Sequence, residues 1–350
     1  MRIRPALVLL AATLLVPFAL AAEKPKVRAI TAFVRFDRDH YQQQIRETLD
    51  FLRAAKAEFE RGGYEVQTIR ISTQPFPEYV RGLSPRQALE LFRDYDALAQ
   101  KEGFDASIGT VFVGSPADRE MVDLLAQILA STRTLNASVS ITSDTGVNWN
   151  AVAGTAHLIK ALAERTPHSQ GNFNFTAAAM VPPLTPFYPA SYHLGSGRQF
   201  AVALQPANVV AEAFTAPAGG AATPDSLRQR LQQLLSTHAS KIQEIASAIE
   251  KRSGWSYAGL DPSPAPLKDV SIGAAIEAFT GATFGSSGTL TAATAVTAVL
   301  KAIPVKQTGY SGLMLPVLED ELLARRWGEG KITLDSLLAY SAVCGTGLDT

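Results

Sequence analysis

An α/β fold is predicted by three features of this 350-residue sequence. Short apolar runs without polar alternation recur along it, as strands covered on both faces require. Stretches with apolar residues at helical spacing lie between them. Glycine, proline or a small hydroxyl residue opens or closes most of these stretches.

In chain order, residues 27–36 form the first such run and read as a buried strand. Ile45, Leu49, Leu52 and Phe59 then mark one face of a helix closed by Gly62-Gly63. Residues 66–72 are a second strand. Ser84-Pro85 is an N-cap followed by proline at the first helical position, and opens a helix through Leu89, Phe92 and Tyr95 to about Gly103. Residues 106–113 are a third strand, and Ser115-Pro116 opens the next helix by the same device. A strand at 139–142, a helix over 150–165 and strand-like segments at 173–181 and 199–204 follow, the last two separated by a proline-rich connection. Residues 215–224 read as an exposed loop inside one large domain spanning 22–350. Beyond the loop, Leu227, Leu231, Leu234, Leu235, Ile242, Ile245 and Ile249 mark a long helix over 225–252, and a strand follows at 256–260.

Composition narrows the function classes. With 47% hydrophobic and 18% charged residues the chain is neither a disordered polymer nor a polytopic membrane protein. Lys and Arg number 32 against 32 Asp and Glu, so neither a nucleic-acid partner nor a polybasic membrane anchor is indicated. Residues 1–21 read as a signal peptide, with Arg2 and Arg4 before an apolar run and Ala19-Leu20-Ala21 as the cleavage pattern. An uncleaved N-terminal anchor is the alternative, although Pro17 interrupts the run. The expectation is an exported, periplasmic protein with no membrane contact after cleavage. A single cysteine excludes an internal disulfide framework, and five histidines without paired spacing give no metal site.

Five segments carry candidate chemistry. The proline-rich stretch 182–193 ends in Tyr192-His193, a phenol beside an imidazole; its plainer reading is a stiff surface connection. Asp261 and Ser263 follow a predicted strand, where α/β folds place ligand groups, but could equally form a self-stabilised turn. Gly285-Ser286-Ser287-Gly288-Thr289 opens an Ala/Thr-rich helix and could cradle an anion, without being a Walker loop. Glu319-Asp320 ends an apolar run; either residue could complement a helix dipole or act as a general base. Cys344, followed by glycine, is a nucleophile or an inert buried thiol.

Together these segments resemble the DUF711 family, also called uncharacterised protein family 0210. The similarity rests on the stretches 28–35, 186–193, 259–263, 284–289, 309–320 and 344–349. It implies an α/β barrel like that of the pyruvate formate-lyase superfamily, built of two half-barrels with helices outside and ligands inside. Family members continue well past the motif at 344–349, so a barrel short of its closing elements at the C-terminus is expected. Glycyl-radical chemistry is not implied, since fold does not carry function and one cysteine with no radical loop is present.

The expected function is an exported protein acting on a small anionic metabolite in the barrel interior by thiol or general acid–base chemistry. The alternative is a non-catalytic metabolite-binding or sensing protein. Cys344, Asp261, Glu319, Asp320 and His193 are the candidate reactive groups. Arg35, Tyr192, Ser263 and the loop Gly285, Ser286, Ser287, Gly288 and Thr289 are the candidate ligand-binding groups. No cofactor is assigned, and self-association is left open.

Overall fold

The computed structural model describes residues 24–114, 117–215, 223–266 and 270–349. The signal-like segment, the Ser115-Pro116 helix start and most of the 215–224 loop lie outside the described residues. Strand and helix alternate as β1 (Lys26–Phe33), α1 (Tyr41–Arg61), β2 (Val66–Ser72), α2 (Pro85–Glu102), β3 (Asp105–Phe112), α3 (Ala117–Ala130) and β4 (Leu135–Ser140). A small hairpin, β5 (Thr142–Ser143) and β6 (Gly146–Val147), leads to α4 (Trp149–Arg165), a 3₁₀ turn at Pro167–Asn174 and β7 (Phe175–Ala178). Then come β8 (Gln199–Gln205), α5 (Ala207–Phe214), α6 (Pro224–Ser253), β9 (Ser256–Asp261) and α7 (Ile272–Thr280). The described chain closes with α8 (Thr289–Lys301), α9 (Glu321–Gly328) and α10 (Leu334–Ser341).

Seven strands form one sheet in the order β7-β4-β3-β2-β1-β8-β9. All pairings are parallel except β1 with β8, so five strands run one way and two the other. The fold is therefore a mixed α/β fold on a mostly parallel sheet. No helix among the described residues is long and apolar enough to cross a membrane.

Local signals account for most boundaries. Ser84 caps α2 with a capping box to Gln87, Pro85 occupies the first turn, and Gly103 ends the helix in the left-handed region at φ 74°. Strand β4 starts four residues earlier than its apolar pattern suggests, because Asn136 and Ser138 are buried inside it. The short helices α5 and α7 are nearly all apolar, so no amphipathic period announces them.

One face of the sheet buries Ile30, Ile71, Phe200, Leu204 and Leu260 against helices that supply Leu49, Leu52, Phe59, Leu235 and Ile242. Phe51 stacks on Trp255 at 4.1 Å and meets Phe200 edge-on, joining α1 to β8 and the start of β9. The opposite face is built from small and hydroxyl side chains, among them Ala29, Thr31, Ser72, Ser107 and Ala203, all fully buried. Among the described residues, Phe187 and Met314, from irregular segments, pack on that face's Ala29 and Ala203.

Asp96 on α2 shows how the helical layer is tied to the sheet. Its buried carboxylate accepts from the Arg133 and Thr134 N–H groups, from Thr134 Oγ1 at 2.6 Å and from Gln100 Nε2 at 2.7 Å. Arg133 and Thr134 lie in the turn that feeds β4, whereas Gln100 is on α2 itself. Asp96→Ala strands two backbone N–H groups and should cost about 3 kcal/mol of stability. A urea midpoint unchanged from the parent would refute this role.

Candidate functional site

Irregular backbone laid on a sheet must have its polar groups satisfied, because water cannot reach them. The hydroxyl-rich face of the sheet supplies those partners. Thr31 Oγ1 donates to the Pro186 carbonyl at 2.8 Å, and Ser107 Oγ donates to the Ser191 carbonyl at 2.6 Å. Ser191 Oγ bonds Ser72 Oγ at 2.9 Å, and the Tyr188 hydroxyl donates to the Ile71 carbonyl at 2.7 Å. From Thr185 to His193 the proline-rich stretch is thus an interior connection, while Pro182 and Pro183 at its start are exposed. Its Tyr188–Pro189 bond is cis.

A second irregular stretch, 309–316, is held by the end of β9. Asp261 is fully buried; its carboxylate accepts from Tyr310 N at 2.7 Å, Ser311 N at 3.1 Å, Ser263 N at 3.0 Å and Ser263 Oγ at 2.5 Å. Ser263 Oγ in turn accepts from Gly312 N at 3.1 Å. Burial pushes the Asp261 carboxyl up to about 6, against the pull of these donors. Gly309 has φ 68°, and a Cβ there would collide with the Asp261 carboxylate, so glycine is required. Gly312 and Gly345 let two chain segments touch: a Cβ on either would lie 2.8 Å from the other's Cα. Leu313 bridges to Cys344 there.

Between these stretches and the sheet lies a cavity of about 440 Å³. Arg28 of β1 and Arg70 of β2 reach it from the sheet, Tyr188 from the proline-rich stretch, and Tyr310, Glu319 and Asp349 from the later segments. Arg70 keeps 7% of its surface exposed, and its Nε has no hydrogen-bond partner among the described residues. Its guanidinium lies 4.7 Å from the Tyr188 ring centroid. Burial, with Arg28 nearby, lowers the Arg70 pKa to about 10, which leaves it charged at neutral pH. Burial pushes Asp349 up to about 6, and the charge of Glu319 adds to that rise. Asp349 Oδ2 accepts from Thr346 Oγ1 at 3.0 Å, and Thr346 Oγ1 lies 2.9 Å from the Cys344 sulfur. His168 and Ser169, which also line the cavity, are consecutive non-glycine residues at φ 54° and 59°. Such conformations cost roughly 1–3 kcal/mol each and persist only where the surroundings enforce them.

The structure gathers several of the segments singled out from the sequence around this one cavity, but sorts their side chains. Glu319 lines it. Asp261, Ser263 and Cys344 stand behind its wall, holding the loops; burial pushes the Cys344 thiol up, so it is protonated at neutral pH. Asp320 is fully buried and ties two helices together: it accepts from Leu322 N and Leu323 N as the cap of α9, and from Ser271 Oγ, Ile272 N and Gly273 N at the start of α7. The Tyr192 hydroxyl donates to the Val181 carbonyl at 2.9 Å. His193 is buried, bonds Gln199 Oε1 through Nε2 at 2.8 Å, and leaves Nδ1 without a partner among the described residues.

Arg35 is exposed, ion-paired with Glu78, and lines a different groove of about 220 Å³ with Arg198. Gly285, Ser286, Ser287 and Gly288 form an exposed turn before α8, closed on itself by Gly285 N to Thr289 Oγ1 at 3.1 Å, with Thr289 buried. Sequence reasoning missed Arg28, Arg70, Tyr188, Tyr310 and Asp349 as site residues. Arg70 carried a usable signal: a lone charge between Ile69 and Ile71 in a strand that is otherwise covered. No cluster of three or more His, Cys, Asp or Glu side chains that could hold a metal occurs among the described residues.

The model of a family described as Uncharacterised ACR (DUF711) matches residues 19–350. Proteins named UPF0210 protein are similar over most of the chain. One from Pyrobaculum islandicum is 31% identical over 309 residues, covering 83% of this chain and 66% of its own length. Another, from Pyrobaculum aerophilum, is 32% identical over 309 residues with the same two coverages. One from Methanococcoides burtonii is 27% identical, covering 82% of this chain and 66% of itself. The chain thus spans about two thirds the length of the curated relatives it matches.

Removing the carboxylate in Asp320→Ala leaves a hydroxyl and four backbone N–H groups without their acceptor. A loss of about 3 kcal/mol is expected. Denaturant unfolding checks it, and a loss below 1 kcal/mol would show that water replaces the carboxylate.

Proposed function

The chain belongs to the DUF711 family, and on that premise we propose that it binds a small anionic molecule in the cavity over the second face of the sheet. The observation that carries this is Arg70: a guanidinium nine-tenths buried, lining the cavity, with an orphaned Nε and no carboxylate within ion-pair distance among the described residues. Its cross-strand neighbour Asp105 and the cavity's Glu319 act on it only beyond ion-pair distance, so the buried charge is incompletely compensated, and an anionic ligand is the economical explanation of its retention. Lying over the Tyr188 ring, the guanidinium lines the cavity, where it would meet a carboxylate or phosphate. Arg28 adds a second positive group from the neighbouring strand.

Acid–base chemistry fits this cavity better than thiol chemistry. Asp349 lines it with a carboxyl pushed up to about 6, a value suited to proton transfer near neutrality, whereas the Cys344 thiol sits behind Thr346 with its pKa raised. The non-catalytic alternative uses the same groups for binding alone, and turnover assays on any captured ligand separate the two.

The barrel implied by the family resemblance is also proposed. Its support is the reversal of direction between β1 and β8, which divides the sheet into a five-strand block and the start of a second block. Export to the periplasm is proposed from residues 1–21, and fractionation of cells expressing the chain would test it.

Sulfate, which does not titrate in the range used, serves as probe. Arg70→Ala should abolish sulfate binding measured by calorimetry, while Arg70→Lys retains part of it; undiminished binding in Arg70→Ala refutes the assignment. Asp349 is neutral below pH 6 and charged above, so affinity should fall about tenfold between pH 5 and pH 7 as one negative charge appears beside the anion. Asp349→Asn should flatten that profile. His168→Asn, run in parallel, isolates the imidazole on the same wall.

A further inference from the structure

Resting on the anion-binding reading above, we infer that the ligand of this cavity is charged at both ends. An anionic group would sit on Arg28 and Arg70 and a cationic amino group on Glu319 and Asp349, which makes the ligand class an amino acid or a related zwitterion.

The inference comes from the distribution of unspent charge. Arg28 and Arg70 belong to adjacent strands and reach the cavity from its floor. Glu319 and Asp349 belong to two loops that cover it. No ion pair within 4.0 Å joins either arginine to either acid among the described residues. The charges of Glu319 and Arg70 nevertheless feel one another, as do those of Glu319 and Asp349. Two cations and two carboxylates therefore share one cavity and leave space between them.

Had the acids served only to neutralise the arginines, direct pairing would have been the lower-energy arrangement, as Arg326 with Glu277 at 2.7 Å shows elsewhere in the molecule. The buried aspartates are consumed by donors of the chain itself, backbone N–H groups together with hydroxyl and amide side chains: Asp96, Asp261 and Asp320 each accept at least four hydrogen bonds. Asp349, half-buried, accepts one, from Thr346, and Glu319, at the exposed rim of the cavity, has no side-chain partner among the described residues. A dianion would meet the arginines well and be repelled by this wall. A zwitterion is complementary to both, and a cavity of about 440 Å³ suits a molecule of that size.

The test compares ligands of equal length and different end charges on the intact chain. Glutarate carries two carboxylates, 5-aminopentanoate one carboxylate and one ammonium, and cadaverine two ammonium groups; the homologues one carbon shorter and longer cover the unknown span. Calorimetry at pH 7.5 should show the best amino acid of the series binding at least tenfold tighter than any dicarboxylate. Arg70→Ala should abolish both, and the Glu319→Gln/Asp349→Asn double variant should erase the preference while keeping dicarboxylate binding. Circular dichroism and the urea midpoint verify that each variant is folded, and Arg70→Lys replaces Arg70→Ala if the latter is not. Dicarboxylates binding as tightly as the amino acids, in an Arg70-dependent way, would overturn the zwitterion and leave the anion site standing. A preference that survives the double variant would overturn the role of the two acids. No Arg70-dependent binding of any carboxylate would overturn both readings.

Discussion

The structure depends on satisfying buried backbone that belongs to no helix or strand. One face of the seven-stranded sheet is covered by helices, whose hydrogen bonds are internal and which need only apolar contact. The other face is covered in large part by irregular chain, every N–H and carbonyl of which must find a partner away from water. That requirement explains why Thr31, Ser72 and Ser107 stand where a sheet core would ordinarily hold valine or isoleucine. It also explains why fully buried carboxylates occur: Asp261 and Asp320 each gather donors from segments about fifty residues apart.

This division of labour separates scaffold from candidate site. A polar group whose hydrogen-bonding capacity is consumed by the chain is scaffold, and one whose capacity is unspent beside a cavity is available to a ligand. Asp261, Ser263, Asp320 and Tyr192 fall in the first class. Arg70, Glu319 and Asp349 fall largely in the second. The two classes are linked, because the loop carrying Tyr310 into the cavity is the loop that Asp261 holds. Scaffold residues thus set the shape in which the free charges act. The Cys344 thiol joins them through Thr346, which bonds Asp349, so the segment 344–349 belongs partly to wall and partly to site.

Much of the fold was legible before any coordinates. The run at 27–36, apolar on both faces, announced a strand covered on both sides, and β1 is one, although its second cover is a proline-rich irregular segment rather than a helix. Ser84-Pro85 marked the start of α2 and Gly103 its approximate end, because capping is local chemistry. Elements without local marks were missed, such as α5 and α7, whose apolar composition suits helix and strand alike. The proline-rich stretch shows the reverse: its stiffness was readable, but whether it lay on the surface or inside depended on the hydroxyl-bearing face of a sheet assembled from distant residues.

The sequence by itself determined the α/β class, the helix caps, the family resemblance and several of the segments that meet at the cavity, since each rests on neighbouring residues or on a motif. Tertiary structure alone decided which side chain of each segment faces the cavity. In a strand that choice is a matter of parity, and a single irregularity reverses it: the register shift between Val27 and Ala29 lets Arg28 reach the cavity although Ala29 beside it also packs on the second face. In a loop the choice depends on which polar atoms other segments have already claimed. Asp261 and Asp349 look alike in sequence, each following a glycine and a leucine; the first is enclosed by four donors and the second receives one. Hydrogen-bond partners contributed from dozens of residues away draw that distinction, and no local pattern encodes it.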